Sequence, residues 1–183
     1  GRTLHGTLLH MLHKRFRRPD APAHDVVPRL LHRLDRETSG VVAVGLEEQF
    51  HGYVRSQFEA RTVKKVYLAV VHGAPAEDEG VIDYSIGPAR RSPIRLKMEA
   101  RDDDSGLSAR TRYQVLERNE RFSLVELHPE TGRQHQLRVH MDAIGCPLVG
   151  DKIYGAPDAI FLDGLEGELT QEQKDFLILE RHA

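Results

Sequence analysis

Apolar residues recur at helical spacing near the start of the chain, where Leu4, Leu8, Met11, Leu12 and Phe16 predict an amphipathic helix over residues 3 to 16. Arg17 to Arg29, with Pro19, Pro22 and Pro28, reads as a loop. Leu30-Leu31 and Val41-Val42-Ala43-Val44 are short apolar runs that read as buried strands. Glu47 to Phe58 predicts a second helix with Phe50, Val54 and Phe58 along one face. The period then changes to two. A strand from Val63 to Val71 places Val66, Leu68 and Val70 on one side, and Lys65, Tyr67, Ala69 and Val71 on the less apolar other.

Val81 to Ile86 reads as a further strand, and the basic segment Arg90 to Arg101 as a loop or hairpin. Arg110 to Glu117 and Phe122 to His128 predict two antiparallel strands joined through Asn119-Glu120, with Pro129 ending the second. Thr131 and Gln134 have the spacing of a capping box, which predicts a helix from near Gly132. Leu137, Met141 and Ile144 give that helix an apolar face, Gly145 suits a left-handed stop, and Pro147 prevents continuation. Thr170 and Gln173 repeat the capping signature ahead of a terminal helix near Lys174 to Glu180.

With 183 residues, 39% hydrophobic and 30% charged, the chain has the size and composition of one soluble domain with a real core. No apolar run approaches the roughly 20 residues that span a bilayer, so no membrane contact is expected. A lone cysteine, Cys146, excludes an internal disulfide and a thiolate cage, and points to a reducing, cytoplasmic setting. The net charge of -2 argues against nucleic-acid binding by bulk charge. Its distribution allows a basic face, because Lys14-Arg15-Arg17-Arg18, Arg61-Lys64-Lys65 and Arg90-Arg91-Arg95-Lys97-Arg101 stand apart from Glu77-Asp78-Glu79, Asp102-Asp103-Asp104 and the tail from Asp158 to Glu180.

Candidate chemistry concentrates between the first two apolar runs. The stretch from Leu31 to Gly40 holds two carboxylates, two arginines, a histidine and two hydroxyls against the ends of predicted strands, where an ionised group needs a partner. Asp35 and Glu37, two apart in extended chain, would lie roughly 6–7 Å apart between Cα atoms, tolerable for a glycosidase pair. Nothing else suggests an aromatic sugar cleft, and there is no Trp. Metal sites are not expected. His5 and His13 come near one helix face without a third ligand, and His135 and His140 are about 140° apart on a helix. Arg133, in the first turn of its predicted helix, would oppose the helix dipole by about 0.3–1 kcal/mol, which an anionic partner would explain.

The string HRLDRETSG, His32 to Gly40, resembles the catalytic motif of the RluA-type family of RNA pseudouridine synthases. Lys65 to Gly73 is similar to that family's K-x-Y-x-A-x-V-x-G strand, and Thr131 to Gly155 to its third sequence block. The resemblance runs from about Thr3 to Gly155 and resumes at Arg181-His182-Ala183. It implies an α+β fold, a mixed and largely antiparallel sheet with helices and long loops around a central active-site cleft. Asp35 is then the nucleophile, and Arg33 the side chain that enters the RNA helix as the uridine swings out. Tyr67 stacks on the flipped base, with proton transfer a second role open to it. Arg133 pairs with the catalytic carboxylate and keeps it ionised, and Leu137 packs near the base. His32, Arg36, Thr38 and Lys65 join the substrate and RNA contacts, and Arg91 and Arg95 offer basic ones.

The implied activity is isomerisation of specific uridines to pseudouridine in structured ribosomal or transfer RNA, by a cytoplasmic monomer with no cofactor and no metal. Residues 1–183 would form one catalytic domain lacking an earlier block with a Lys-Pro pair, an S4-type RNA-binding domain and a C-terminal strand. An RNA-binding domain of the same fold without activity is the main alternative. A purely structural domain is a further one.

Overall fold

The computed structural model describes residues 6–178 apart from Asp104 and Glu168. They form two compact units that divide between Val63 and Lys64.

In the first unit, Thr7 caps helix α1 (Leu8–Phe16) by accepting a hydrogen bond from the His10 N–H at 3.2 Å. Gly6, at φ +78°, turns the chain just ahead of that cap, so the helix does not run back through residue 6 as its periodicity predicts. Leu4 and His5 lie outside the described residues. Beyond α1, the Arg17 guanidinium meets the Asp25 carboxylate at 2.9 Å and the Arg18 N–H donates to the same group at 2.6 Å. The Arg17 hydrogen bond, followed by that of the Arg18 backbone, holds Asp25 below the usual carboxylate range.

Strands β1 (Arg29–Leu30) and β2 (Val44–Gly45) form an antiparallel pair only two residues long. The two apolar runs are therefore mostly neither strand nor buried: Val41 is 87% exposed and Leu30 38%. An apolar run without a period does not say which of its members face inward. Pro28 alone is fully buried among the described residues of this unit. Helix α2 (Glu48–Glu59) turns His51, Val54 and Phe58 inward, whereas Phe50 is exposed.

The second unit is built on a four-stranded antiparallel sheet in the order β3 (Tyr67–His72), β8 (Phe122–Pro129), β7 (Thr111–Arg118), β4 (Glu79–Ile82). Register decides which face of β3 is inside. Tyr67 lies opposite Leu127 and Ala69 opposite Val125, and both β8 partners are fully buried. The Tyr67, Ala69, Val71 side thus faces the core, while Val66 and Leu68 are more than half exposed, the reverse of what the apolar count favours. The strand predicted over residues 81–86 is broken at Asp83-Tyr84. Its halves enter different sheets, because β5 (Ser85–Pro88) leaves to pair with β6 (Met98–Arg101) as the expected basic hairpin. The β7–β8 turn closes as predicted, with Asn119 Oδ1 accepting from the N–H groups of Arg121 and Phe122, both at 2.8 Å.

Helix α3 (Gln136–Ala143) packs between two apolar clusters. Met141 joins Ala69, Val71, Val125 and Leu127, and Val139 joins Ile86, Ala109, Ile153 and Tyr154. Helix α4 (Asp158–Glu166) adds Phe161 to the second cluster. Helix α5 (Gln171–Leu177) begins with the predicted capping box of Thr170 and Gln173, and residues 179–180 of the expected helix lie outside the description. Among the described residues no helix is long and apolar enough to cross a membrane.

A buried ion pair locks α3 to the chain that follows it. Arg138 Nε and Nη2 donate to the two Asp151 oxygens at 2.6 and 2.8 Å, and Asp151 Oδ1 also accepts from the N–H groups of Ile153 and Tyr154. Burial pushes the Asp151 carboxyl up, but Arg138 and the two backbone donors outweigh it and hold the group below its ordinary range. Asp151→Asn is expected to lower stability at pH 7 by about 3–5 kcal/mol in urea unfolding. The lowered group stabilises the fold above its unfolded pKa, so the gap between the two proteins should shrink as pH falls below about 4.

Candidate active site

In the first unit, the stretch carrying Asp35 is a closed loop that joins β1 to β2. The Leu31 N–H donates to the Ala43 carbonyl at 3.1 Å, and the Ala43 N–H donates to His32 Nε2 at 3.0 Å. His32 is thus a neutral acceptor whose ring also stacks on Phe58, with centroids 5.3 Å apart. It closes the loop. The Thr38 N–H bonds the Asp35 carbonyl at 3.2 Å, so Asp35 opens a tight turn through Arg36 and Glu37. The extended geometry that would align Asp35 and Glu37 as a glycosidase pair is absent. Asp35 and Thr38 are half-buried, whereas Arg33 and Arg36 are exposed. Gly40 closes the loop at φ +143°, a conformation open essentially to glycine alone.

In the second unit, Tyr67 and Leu137 both pack, half-buried, at the margin of the cluster around Leu127 and Met141. Lys65, two residues before Tyr67, donates through Nζ to the Thr131 carbonyl at 3.0 Å, tying the start of β3 to the turn ahead of α3. That turn departs from expectation. Thr131 does not cap a helix beginning near Gly132; the helix starts at Gln136, after His135 takes a left-handed φ of 56°. Arg133 therefore precedes the helix, and the dipole penalty argued for it does not arise. Its Nε donates to the Ser108 carbonyl at 2.9 Å.

Buried polar side chains support this turn. Gln136 Oε1 accepts from the Thr131 hydroxyl at 2.6 Å and the Arg133 N–H at 3.0 Å, while Nε2 donates to the Arg110 carbonyl at 2.9 Å and Thr111 Oγ1 at 3.0 Å. The Thr111 hydroxyl meets His140 Nδ1 at 2.9 Å, and His140 Nε2 lies 3.1 Å from the Tyr84 carbonyl. Because a carbonyl can only accept, Nε2 carries the proton. Burial lowers the His140 pKa, in keeping with a neutral ring. His135 Nδ1 instead meets the Tyr154 hydroxyl at 2.8 Å, so the two histidines have separate partners. Among the described residues no His, Cys, Asp or Glu cluster could hold a metal.

Arg91 and Arg95 are exposed on the β5–β6 loop, which is pinned at several points. Ile94 is buried, Ser92 and Lys97 both bond Asp158 at 2.7 Å, and Gln134 Nε2 donates to the Leu96 carbonyl at 3.2 Å. Gln134 thereby attaches this loop to the turn that carries Arg133. Other members of the basic clusters are neutralised locally. Arg90 pairs with Asp103, which the Ser105 hydroxyl and then Arg90 hold down at about 2.

The model of the RNA pseudouridylate synthase family matches residues 4–143. The chain belongs to that family. It is 45% identical over 130 residues to the dual-specificity RNA pseudouridine synthase RluA of Yersinia pestis, covering 70% of this chain and 62% of the relative. It is 44% identical over 168 residues to the ribosomal large subunit pseudouridine synthase D of Nitrosomonas europaea, covering 88% of this chain and 45% of the relative. Among solved structures it is similar to human RNA Pseudouridylate Synthase Domain Containing 1, with a TM-score of 0.66 and 31% identity over 85% of this chain and 60% of that one. Several of these relatives are much longer; the chain spans about half the length of the Bacillus subtilis, Chloroflexus aurantiacus and Nitrosomonas europaea proteins.

Within this pseudouridine synthase fold, the residues that the sequence singles out divide into presenters and supports. Asp35, Arg33 and Arg36 sit in the turn region of a locked loop, Tyr67 and Leu137 at the edge of a packed core, and Arg133 in the turn before α3. Gln136, Thr111 and Ser108 are supports that motif reading passes over. One signal was available: Gln136, Arg138 and His140 are more polar groups than an amphipathic helix of eight residues needs. Gly40→Ala is expected to loosen the loop by about 1–2 kcal/mol, seen as roughly tenfold faster hydrogen exchange at the Ala43 amide that His32 holds.

Proposed function

We propose that this chain carries the catalytic groups of an enzyme that converts uridine to pseudouridine in RNA. The observation that carries the reading is family membership over most of the chain, with identities above 40% to proteins named as RNA pseudouridine synthases. The reaction breaks the bond from ribose C1′ to uracil N1, turns the base in place, joins C1′ to C5, releases the C5 proton and leaves N1 to take up a proton. Nothing is oxidised or reduced, so the demands on the protein are few.

Asp35 supplies the nucleophilic carboxylate, and Arg133 supplies a cation. Tyr67 and Leu137 supply apolar surface for the loosened uracil. Arg33, exposed and planar, fills the gap left by the departing base. His32, Thr38 and Lys65 serve this site by holding the backbone that presents it, and Arg36, Arg91 and Arg95 meet RNA phosphates. One chain carries all these groups, and we assign it to the cytoplasm as a monomer acting on ribosomal or transfer RNA. The ribosomal large subunit in the name of the Nitrosomonas europaea relative supports the ribosomal target, and the single cysteine supports a reducing compartment.

Asp35→Asn should lower pseudouridine formation by about 10⁴-fold or more while RNA affinity stays nearly intact. Tritium released from C5 of labelled uridine measures it. Turnover by the pure variant would remove Asp35 from the chemistry, and an unaltered chain that binds RNA without releasing tritium would favour an inactive RNA-binding domain. Joint replacement of Arg91 and Arg95 by Ala should reduce the slope of log affinity against log salt by about 1.5. An unchanged slope would put the phosphate contacts elsewhere.

A further inference from the structure

We propose that Gln136 is the positioning residue for Arg133, and that it sets the reactivity of the site through that arginine alone. The inference rests on the reading of Arg133 given above. Gln136 binds both backbone polar groups of Arg133: its side-chain oxygen takes the Arg133 N–H at 3.0 Å, and its own N–H donates to the Arg133 carbonyl at 3.2 Å. No helical hydrogen bond does this work, because Arg133 lies before the first turn of α3.

The same amide is itself immobilised. Its nitrogen gives one hydrogen to the Arg110 carbonyl and the other to Thr111 Oγ1, both at the head of β7. Its oxygen takes a second hydrogen bond from the Thr131 hydroxyl, which in turn accepts from the Arg110 N–H at 3.0 Å. All four hydrogen-bonding places of the amide are filled, and the residue is 4% exposed. The Arg133 backbone is therefore referenced to β7 through one side chain, and its Nε is anchored separately on Ser108. An amide is needed for this. A carboxylate has no hydrogens for Arg110 and Thr111, and an aliphatic chain of equal length has neither donors nor acceptors.

The test uses Gln136→Met, which keeps length and removes every side-chain hydrogen bond while leaving the backbone one, in the unaltered chain and in Arg133→Ala. In the unaltered chain, Gln136→Met should slow single-turnover pseudouridine formation at saturating RNA by up to about 100-fold, with little change in RNA affinity. In the Arg133→Ala background it should cost nothing further. Equal losses in both backgrounds would overturn the proposal, since Gln136 would then serve the fold in general.

A second readout does not depend on activity. The Arg133 Nε–H resonance should exchange slowly in the unaltered chain and rapidly in Gln136→Met, and an unchanged resonance would also overturn the proposal. If the unaltered chain forms no pseudouridine, the functional reading fails while this resonance still decides whether Gln136 positions Arg133. Should the methionine variant fail to fold, Gln136→Glu, which retains an oxygen for the Arg133 N–H but lacks the amide hydrogens, is read by the same two criteria.

Discussion

Hydrogen-bonding groups that have left water must be filled by other groups, and in this chain that constraint falls on a chain of side chains running from Thr131 through Gln136 and Thr111 to His140. All four are 4% exposed or less. A buried donor or acceptor left without its partner costs about 1–3 kcal/mol, so no member can shift without a penalty at the next. The start of β7, the turn after β8 and the first turn of α3 consequently form one mechanical unit. Arg133 is carried by it, and Lys65 brings the start of β3 into it through the Thr131 carbonyl.

Much of the fold was legible because it follows period and punctuation. The β7–β8 hairpin, the basic hairpin, the stop of α3 at Gly145 and the cap of α5 were all read from local signals, and the structure has them. Failures came where two local signals agreed on the wrong answer. Thr131 and Gln134 have capping-box spacing, yet Thr131 spends its hydroxyl on Gln136, a partner that exists only once α3 lies against β7. The inner face of β3 is the less apolar of its two, and only the pairing of Tyr67 with Leu127 and Ala69 with Val125 fixes it there. Asp83-Tyr84 breaks a strand because its halves join different sheets, which is a matter of topology and not of propensity.

The candidate site was legible as motifs and much less so as geometry. Motif reading does not separate residues that present a side chain from residues whose bonds are internal. His32 and Lys65 are the clearest instances, one held by the Ala43 N–H and stacked on Phe58, the other bound to the Thr131 carbonyl. Their proximity in sequence to Asp35 and Tyr67 has a physical reason of its own. A side chain that must be placed to within a fraction of an ångström needs neighbours that fix its backbone, and nearest residues do this at least entropic cost.

The two units fix their backbones by different means. The first has only Pro28 fully buried among its described residues, so the loop bearing Asp35 cannot owe its shape to a core. It depends on a two-residue strand pair, the His32 bond, the Asp35–Thr38 turn and the backbone freedom of Gly40. The second fixes Arg133 through buried amide and hydroxyl bonds beside two apolar clusters. Locally bonded segments open at a lower free energy than segments within a packed core. On that ground the loop of Asp35 is expected to open more readily than the turn that carries Arg133.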